Sequence, residues 1–353
     1  MTSKKILFDL LKIPSPTYQE TKKAEYLKRW CKDHLSDFKC LETGNNMIFS
    51  KLGSGKETLA FIGHMDTVPA FFEPYEKNGM MYGAGASDMQ AGIASFLSFI
   101  KANEAALLAR YSIMIILYDK EEGTPIHENG LNELIQFDKN LIKQIDIAVV
   151  AEPTNNAIQL GCVGSLHMKV SIKGKAAHSA RPWNGENALY KAIPIIKAIS
   201  EIQPLKQTVF GVDFFDVIDF TESGASPGRT TVPDLWEGNI NYRFSPKHSS
   251  SSAIEYVQDL INSLKIEGLT SHLVNIVNAG SVIEHKILKK AKEILTVEAK
   301  QAWTDVAQLT QLGICAFNFG PGLQSQAHLP NECVNLSDML KYEKLLKKLF
   351  LEG

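Results

Sequence analysis

Residues 59–92, LAFIGHMDTVPAFFEPYEKNGMMYGAGASDMQAG, are the stretch from which the fold can be predicted. The run 59–63 is continuously apolar, which is typical of a strand buried on both faces of a parallel sheet. It ends at His64 and Asp66, which are two positions apart and therefore point to the same side. A glycine-rich loop then supplies a second carboxylate, Asp88. A histidine that can bind a metal, an aspartate that can orient it and a further carboxylate indicate a metal site at this strand end.

Composition and charge exclude several classes of protein. The chain has 353 residues, of which 44% are hydrophobic and 22% charged, and its formal net charge is -2 at pH 7. This balance offers no basic surface for nucleic acid, and we find no apolar run of the roughly 18–20 residues that a membrane span needs. The N-terminal segment lacks a signal-peptide pattern, and the five cysteines show no CxxC spacing. We therefore expect a cytoplasmic protein with reduced thiols and with neither a nucleic-acid nor a membrane partner.

Two further apolar runs are followed by acidic residues. Residues 111–118 predict a buried strand that leads to Glu121 and Glu122, and residues 145–150 predict a shorter strand that leads to Glu152. In open α/β sheets, ligands bind beyond the carboxyl ends of the strands. The three strand ends therefore predict one shared polar site.

The pattern of the sequence changes after Gly161. Residues 164–173 alternate in polarity with a period of two, and the helix and strand patterns that follow have the order β-α-β-β-α-β. That order is typical of a ferredoxin-like two-layer α+β domain. We therefore predict a catalytic α/β domain with a mostly parallel sheet, made of residues 1–161 and 277–353, and an inserted domain made of residues 162–276.

The adjacent pair Glu121 and Glu122 is the most informative acidic motif. Two neighbouring carboxylates at the end of an apolar strand repel each other unless a cation lies near. One of them can bind a metal while the other stays free as a general base. Taken alone, the pair can also be interpreted as a solvated acidic turn, and the late His328 as a surface histidine.

Five motifs can be read together along the chain: His64-x-Asp66, Gly85-x-Ser87-Asp88-Met89, Glu121-Glu122, Glu152-Pro153 and His328. In combination they resemble the co-catalytic dizinc aminoacylase and carboxypeptidase family, peptidase M20. The resemblance covers essentially the whole chain. It implies a dizinc hydrolase in which the inserted domain serves as a dimerisation and lid domain.

The resemblance also implies a set of metal ligands, all of them nitrogen or oxygen donors. They are His64, Asp88 and Glu152 for one zinc ion, and Asp88, Glu122 and His328 for the other, so that Asp88 bridges the two. Cobalt or manganese would suit the same donors. Glu121 would act as the general base, and Asp66 would orient His64.

The resemblance also assigns a role to one histidine of the inserted domain, whereas two arginines and a late turn are candidates for substrate binding on chemical grounds. His178 would reach the active site of the other subunit of a homodimer and stabilise the oxyanion there. Arg181 and Arg243 would bind carboxylates of an N-acyl amino acid substrate, since a guanidinium group pairs bidentately with a carboxylate. A surface charge is the simpler interpretation of Arg243. The turn at Gly322 would present backbone N–H groups to a substrate carboxylate.

Several other segments resemble the succinyl-diaminopimelate desuccinylases of that family, in the form found in actinobacteria. They include HSARPW at 178–183, WTDVA at 303–307 and NFGPG at 318–322. The expected reaction is hydrolysis of N-succinyl-LL-2,6-diaminopimelate to succinate and LL-2,6-diaminopimelate. One loop departs from the pattern, because Thr230 stands where those enzymes carry an asparagine that helps to hold the substrate. The neighbouring Arg229 either replaces the lost contact or marks a different N-acyl amino acid.

Two alternatives to this function remain open. One is another deacylase or peptidase of the same family, such as an acetylornithine deacetylase or a glutamate carboxypeptidase. The other is a binding protein that retains the fold without catalysis. The intact Glu121 and the complete ligand set argue against the second alternative.

Overall fold

The computed structural model of the chain describes residues 2–35, 37–68, 70–226 and 228–352. It divides into two compact units. The first comprises Met1–Gly161, Val282–Glu298 and Gln308–Gly353, and the second comprises Cys162–Ser281 and Ala299–Ala307. The second unit thus includes residues 277–281 and 299–307, which the sequence had assigned to the catalytic domain.

Hydrogen bonds explain why these two segments belong to the second unit. The backbones of Cys162 and Gly280 exchange two hydrogen bonds, of 3.1 and 3.0 Å. The side chain of Gln301 accepts from the backbone N–H of Phe215 (3.0 Å) and donates to its carbonyl (2.6 Å). Because both partners are distant along the chain, the sequence pattern held no sign of these bonds.

The described residues form ten α-helices. In chain order they are α1 (Ser3–Leu11), α2 (Thr21–His34), α3 (Ala91–Leu108), α4 (Gly130–Phe137), α5 (Lys139–Ile142), α6 (Ala188–Ser200), α7 (Ser250–Ser263), α8 (Lys286–Ile294), α9 (Val306–Thr310) and α10 (Leu336–Phe350).

The same residues form eighteen strands. They are β1 (Lys39–Thr43), β2 (Asn46–Lys51), β3 (Glu57–His64), β4 (Tyr75–Lys77), β5 (Met80–Tyr82), β6 (Tyr111–Tyr118), β7 (Ile147–Val150), β8 (Ile158–Leu160), β9 (Gly164–Lys173), β10 (Ala177–His178), β11 (Leu205–Val209), β12 (Val212–Ala225), β13 (Thr231–Val232), β14 (Leu235–Phe244), β15 (Leu269–Val277), β16 (Val297–Ala299), β17 (Cys315–Asn318) and β18 (Cys333–Asn335).

An eight-stranded sheet forms the centre of the first unit, with the strand order β1-β2-β6-β3-β7-β17-β8-β16. Its four central strands, β6, β3, β7 and β17, run parallel, and antiparallel strands flank them. The apolar runs of β3 and β6 are buried along most of their length, as strands covered on both faces must be. The predicted α/β class with parallel central strands is confirmed.

Among the residues that the structure describes, one helical stretch meets the length and composition of a membrane span, contrary to the sequence expectation. It is Ala86–Leu108, which includes α3 and the irregular turn before it, with a mean hydropathy of 1.2 over its apolar window. Of that window, 61% is buried inside the protein. Such burial is typical of a core helix, because a helix that is apolar on all sides packs in the interior of a large domain.

The second unit contains an antiparallel sheet with the strand order β11-β12-β14-β9-β15. Helices α6 and α7 cover one face of it, and their apolar side chains share a core with Leu166, Met168 and Trp236. The strands β9, β12, β14 and β15 with their two helices have the predicted ferredoxin-like order. Strand β11 adds an edge strand that the sequence pattern did not predict.

Candidate metal centre

The carboxyl ends of three neighbouring parallel strands meet at one edge of the central sheet. His64, the last residue of β3, lies opposite Tyr118, the last residue of β6. On the other side of β3, Ile62 lies opposite Val150, the last residue of β7. The acidic residues that follow β6 and β7 therefore leave the sheet beside His64, as the sequence predicted for three strand ends that share one site.

Four of the predicted ligands surround a common space. One ligand atom from each of His64, Asp88 and Glu122 lies within 4.8 Å of the other two. Asp88 Oδ1 is 3.3 Å from His64 Nε2, and Asp88 Oδ2 is 3.9 Å from His328 Nε2. His328 Nε2 is also 3.2 Å from the Glu122 carboxylate. The two oxygens of Asp88 thus face different histidines, which is the arrangement a bridging carboxylate requires.

The chemistry of this donor set fits a pair of divalent ions. Every donor is an imidazole nitrogen or a carboxylate oxygen, and these suit zinc as well as cobalt or manganese. His64, Asp88 and Glu122 are mostly shielded from solvent, whereas the side chain of His328 is 52% exposed. One side of the site is therefore open to solvent.

Two further predicted site residues lie outside the group of His64, Asp88 and Glu122. Glu152 follows β7 and is 7% exposed, so it is a buried carboxylate at the correct strand end. Glu121 is half-buried and directly precedes Glu122. The role of Glu121 as general base and that of Glu152 as metal ligand stay predictions.

Asp66 has a wider structural role than the sequence predicted. His64 Nδ1 lies 3.1 Å from the Asp66 carbonyl and 3.4 Å from its carboxylate. The two oxygens of that carboxylate also accept from the backbone N–H groups of Glu121 (3.1 Å) and Glu122 (2.9 Å). Asp66 therefore orients the imidazole and fixes the backbone that carries the adjacent glutamates.

Negative charge governs the titration of both histidines. Burial alone would lower the pKa of His64, but bonds to Asp66 and Asp88 and the charge of Glu121 raise it well above its ordinary value. The hydrogen bond with Glu122 raises the pKa of His328 to about 9. Without a metal, this negative charge favours the protonated form of both histidines. A divalent cation would displace these protons, because metal ligands must be deprotonated.

Glu332 is a buried carboxylate at the site that the sequence analysis did not single out. It is fully buried, and its carboxylate accepts from the backbone N–H groups of Gly85 (2.8 Å), Ser87 (2.7 Å) and Asp88 (2.7 Å). Burial raises the pKa of Glu332 to about 7, although these backbone bonds oppose the rise. Its position four residues after His328 was the only available signal in the sequence.

Lys23 is a second buried charged residue that the sequence analysis missed. It lies in α2, is 1% exposed, and interacts electrostatically with Asp66, Glu332 and Glu20. Burial lowers the pKa of Lys23 to about 7, although these three negative charges oppose the change. Lys23 lies four residues before Leu27, on the same buried face of α2, and the packing of the helix against the site reveals its partners.

We expect Lys23→Met to stabilise the metal-free protein, by about 2–4 kcal/mol near pH 7. The unfolded chain binds the lysine proton more tightly than the folded protein does. Wild-type stability should therefore rise as the pH increases from about 7 towards the ordinary lysine value, and the advantage of methionine should shrink over that range. Urea unfolding in EDTA at pH 7 and pH 9 measures both effects.

The exposed neighbour provides a control, since Lys22→Met should change stability by less than about 0.5 kcal/mol. A pH-independent difference would contradict the prediction.

His178 and Arg181 lie in the second unit, and both are exposed. His178 Nδ1 accepts a hydrogen bond from the backbone N–H of Ala180 (3.1 Å). In the neutral imidazole the other nitrogen, Nε2, therefore carries the proton and can donate it. His178 pairs with Thr231 across β10 and β13, and the carbonyl of Thr230 accepts from the N–H of Ser179 (2.8 Å). The loop that departs from the desuccinylase pattern is thus held beside His178.

Arg243 is half-buried in β14 of the second unit. Its Nε donates to Asn241 Oδ1 (3.0 Å), and the Asn241 amide donates to Leu166 O (3.0 Å) and Ser165 Oγ (3.1 Å). Burial lowers the pKa of Arg243. In the part of the chain that the structure describes, no hydrogen bond donated by its terminal guanidinium nitrogens is found. Its burial argues against a simple surface charge, and the carboxylate-binding role of Arg243 stays a prediction.

The turn at Gly322 can offer fewer N–H groups than the sequence suggested. Pro321 has no N–H, and the N–H of Gly320 is donated to Thr154 Oγ1 (3.1 Å). Gly322 has a φ of +88°, and a Cβ there would meet Ser87 Oγ at 2.6 Å. The turn therefore packs against the loop that carries Asp88, and among the bonds of the described residues none uses the N–H of Gly322.

Comparisons with known proteins place this geometry in context. The model of the family described as Peptidase family M20/M25/M40 matches residues 60–352. The succinyl-diaminopimelate desuccinylase of Corynebacterium glutamicum is 29% identical over 354 residues, which cover 97% of this chain and 94% of that protein.

Two solved structures share the fold. The aminopeptidase PepT from Bacillus cereus is 18% identical with a TM-score of 0.80, and the match covers 99% of this chain and 97% of that one. The YXEP protein of Bacillus subtilis, described as a dinuclear metal-binding peptidase from the M20 family, is 15% identical with a TM-score of 0.70. That match covers 99% of this chain and 96% of that one. At these identities the similarity establishes the fold alone.

Proposed function

The chain belongs to peptidase family M20/M25/M40 and is a metal-dependent hydrolase, and we propose that it removes the succinyl group from N-succinyl-LL-2,6-diaminopimelate. The family expected from the sequence motifs is confirmed. The products would be succinate and LL-2,6-diaminopimelate. Relatives named as desuccinylases, similar over nearly the full chain, support this substrate.

The observation that carries the dimetal hydrolase proposal is the position of Asp88 between two histidines. We propose that His64, Asp88 and Glu152 hold one zinc ion and that Asp88, Glu122 and His328 hold the other. Cobalt or manganese is the alternative metal. When bound, such ions supply Lewis-acid activation of water and of the acyl carbonyl.

Three residues of the chain then have separate roles in amide hydrolysis. Glu121 takes the proton of the attacking water and returns it to the leaving amine. Asp66 holds Glu121 in place through its backbone N–H (3.1 Å). His178, which can donate from Nε2, stabilises the negative charge that develops on the acyl oxygen.

Substrate recognition would rest on the carboxylates of the N-acyl amino acid. Arg243, fixed at Nε by Asn241, can present its terminal nitrogens to one carboxylate as a bidentate fork. Arg181 lies three residues after His178 and would bind a second carboxylate. The N–H of Gly322 is a third candidate donor.

A specific observation favours keeping a second candidate, a deacylase or peptidase with a different acyl amino acid. Thr230 and Thr231 are bonded to the strand that carries His178, and they stand where the desuccinylases carry their asparagine segment. Because His178 is proposed to stabilise the oxyanion, a different residue beside it can change which acyl group the site accepts.

We propose that the protein acts as a homodimer in the cytoplasm. The second unit exposes large apolar side chains near and within α6, where Trp183 is 76%, Tyr190 67% and Ile193 55% exposed. Apolar surface of this kind often marks a protein interface. All five cysteines are free, which is consistent with a reducing compartment. Light scattering of the purified protein tests the dimer, and a monomeric mass would exclude it.

The experiment that tests the function compares initial rates on acyl amino acids. We expect the metal-free protein to be inactive and zinc to restore activity. With zinc, N-succinyl-LL-diaminopimelate should be hydrolysed at least about 100-fold faster than N-acetylornithine or a dipeptide, because specific polar contacts discriminate strongly between substrates. A preference for N-acetylornithine would exclude the proposed succinyl substrate but would leave the hydrolase function standing. Bound metal with no turnover on any of these compounds would favour the binding protein without catalysis.

A further inference from the structure

Glu332 connects two segments that carry proposed metal ligands. Its carboxylate accepts hydrogen bonds from three backbone N–H groups of the loop that ends at Asp88, with N···O distances of 2.7 to 2.8 Å. One of the three belongs to Asp88 itself. When the carboxylate is ionised, short bonds of this kind are charge-assisted and stronger than bonds between neutral groups.

The backbone around Glu332 strengthens the same connection. The carbonyl of Glu332 accepts from the N–H of Gly83 (3.1 Å), and Ser87 Oγ donates to the carbonyl of Cys333 (3.0 Å). Strand β18 begins at Cys333 and pairs with β5, with Cys333 opposite Tyr82. The segment that follows His328 is therefore bonded to the Asp88 loop along its length.

Only a carboxylate can satisfy this set of donors. Three N–H groups converge on two oxygens, and an ionised carboxylate offers about four acceptor positions. A glutamine of the same shape offers one acceptor oxygen, and its NH2 group would face N–H donors. Glu332→Gln would therefore leave at least one buried N–H without a partner, which is costly in a dry interior.

We propose that Glu332 is a positioning residue of the metal centre, which sets the place of the Asp88 carboxylate relative to His64 and His328. This inference rests on the dimetal function proposed above. Because the two oxygens of Asp88 face the two different histidines, a displaced Asp88 loop weakens both metal positions together. Loss of a ligand that serves one position, such as Glu122, would instead weaken one of them.

Zinc binding to the folded, metal-free protein tests the proposal without using catalysis. Isothermal titration should show that Glu332→Gln binds both equivalents of zinc about 10–100-fold more weakly than wild type, as expected for a group that orients a ligand. Cobalt should report the change independently through its visible absorption spectrum. Zinc affinity equal to wild type at both positions would overturn the proposal.

A matched variant controls for the chemical change itself. Glu343 is a half-buried glutamate of α10 that interacts with Ser3 and Ser98. Glu343→Gln makes the same substitution in the same unit and should bind zinc as wild type does. An equal loss in both variants would show a general effect of removing a buried carboxylate and would contradict the assignment to Glu332.

A second variant and a second measurement cover the case in which Glu332→Gln does not fold. Glu332→Asp keeps the charge but is shorter, so it should lose less zinc affinity than the glutamine variant. In metal-free wild-type protein, hydrogen exchange should protect the amides of Ser87 and Asp88, because the Glu332 bonds form without the ion. Rapid exchange of these two amides would overturn the proposal.

These experiments also separate this inference from the proposed function. If wild-type protein bound no zinc, the dimetal function would fail. If wild type bound two ions and hydrolysed its substrate while Glu332→Gln bound zinc equally well, only the role of Glu332 would fail.

Discussion

Replacing Glu121 by glutamine should lower kcat by about 10²–10⁴-fold while the protein keeps its full complement of metal. Glutamine has nearly the same shape as glutamate but cannot accept the proton of the attacking water. The bond from the backbone N–H of residue 121 to Asp66 does not involve the side chain, so the loop should stay in place. Steady-state kinetics with metal analysis of the same sample measures both halves of the prediction.

The control for Glu121→Gln comes from the same acidic segment. Glu128 bonds to the Tyr18 hydroxyl at 2.9 Å, outside the proposed ligand set. Glu128→Gln should leave kcat within about twofold, as surface substitutions usually have small effects. If Glu121→Gln retained near-full activity with its metal bound, Glu121 could not be the general base.

Removal of the His178 side chain should lower kcat by about 10²–10³-fold with little change in KM, the usual effect of losing one oxyanion donor. The imidazole is fixed at Nδ1 by the N–H of Ala180, which leaves Nε2 as the donor. His178→Gln retains an N–H donor and should recover part of the lost kcat. His272→Ala, at an exposed position of β15 in the same unit, is the control and should behave as wild type. A rise in KM at unchanged kcat would assign His178 to substrate binding instead.

Mixed subunits test whether His178 acts on the site of a partner. His178→Ala subunits keep the proposed metal ligands, and Glu122→Ala subunits keep His178. If sites are shared across a homodimer, a mixture refolded together should show activity that neither variant has alone. If the mixture stays inactive although heterodimers form, His178 acts within its own subunit.

The sequence alone predicted the order of the elements and the positions of the site residues along the chain. Continuous apolar runs predicted β3, β6 and β7, because a strand covered on both faces must be apolar throughout its length. The polar residues His64, Glu121 and Glu152 follow these runs directly, so their meeting at one sheet edge could be inferred without coordinates. Alternating polarity predicted the antiparallel sheet of the second unit in the same local way.

The tertiary structure alone decided which polar groups are buried and what they contact. Glu332 lies more than 240 residues along the chain from the N–H groups that donate to it, and no local sequence pattern specifies such a pairing. The interaction of the buried Lys23 with Asp66 and Glu332 depends on how α2 packs beside these two residues. Helix and strand periodicity records which face of an element is apolar. It holds no information on the distant partners of a buried charge, and those partners fix Asp88 and the backbone of Glu121 and Glu122.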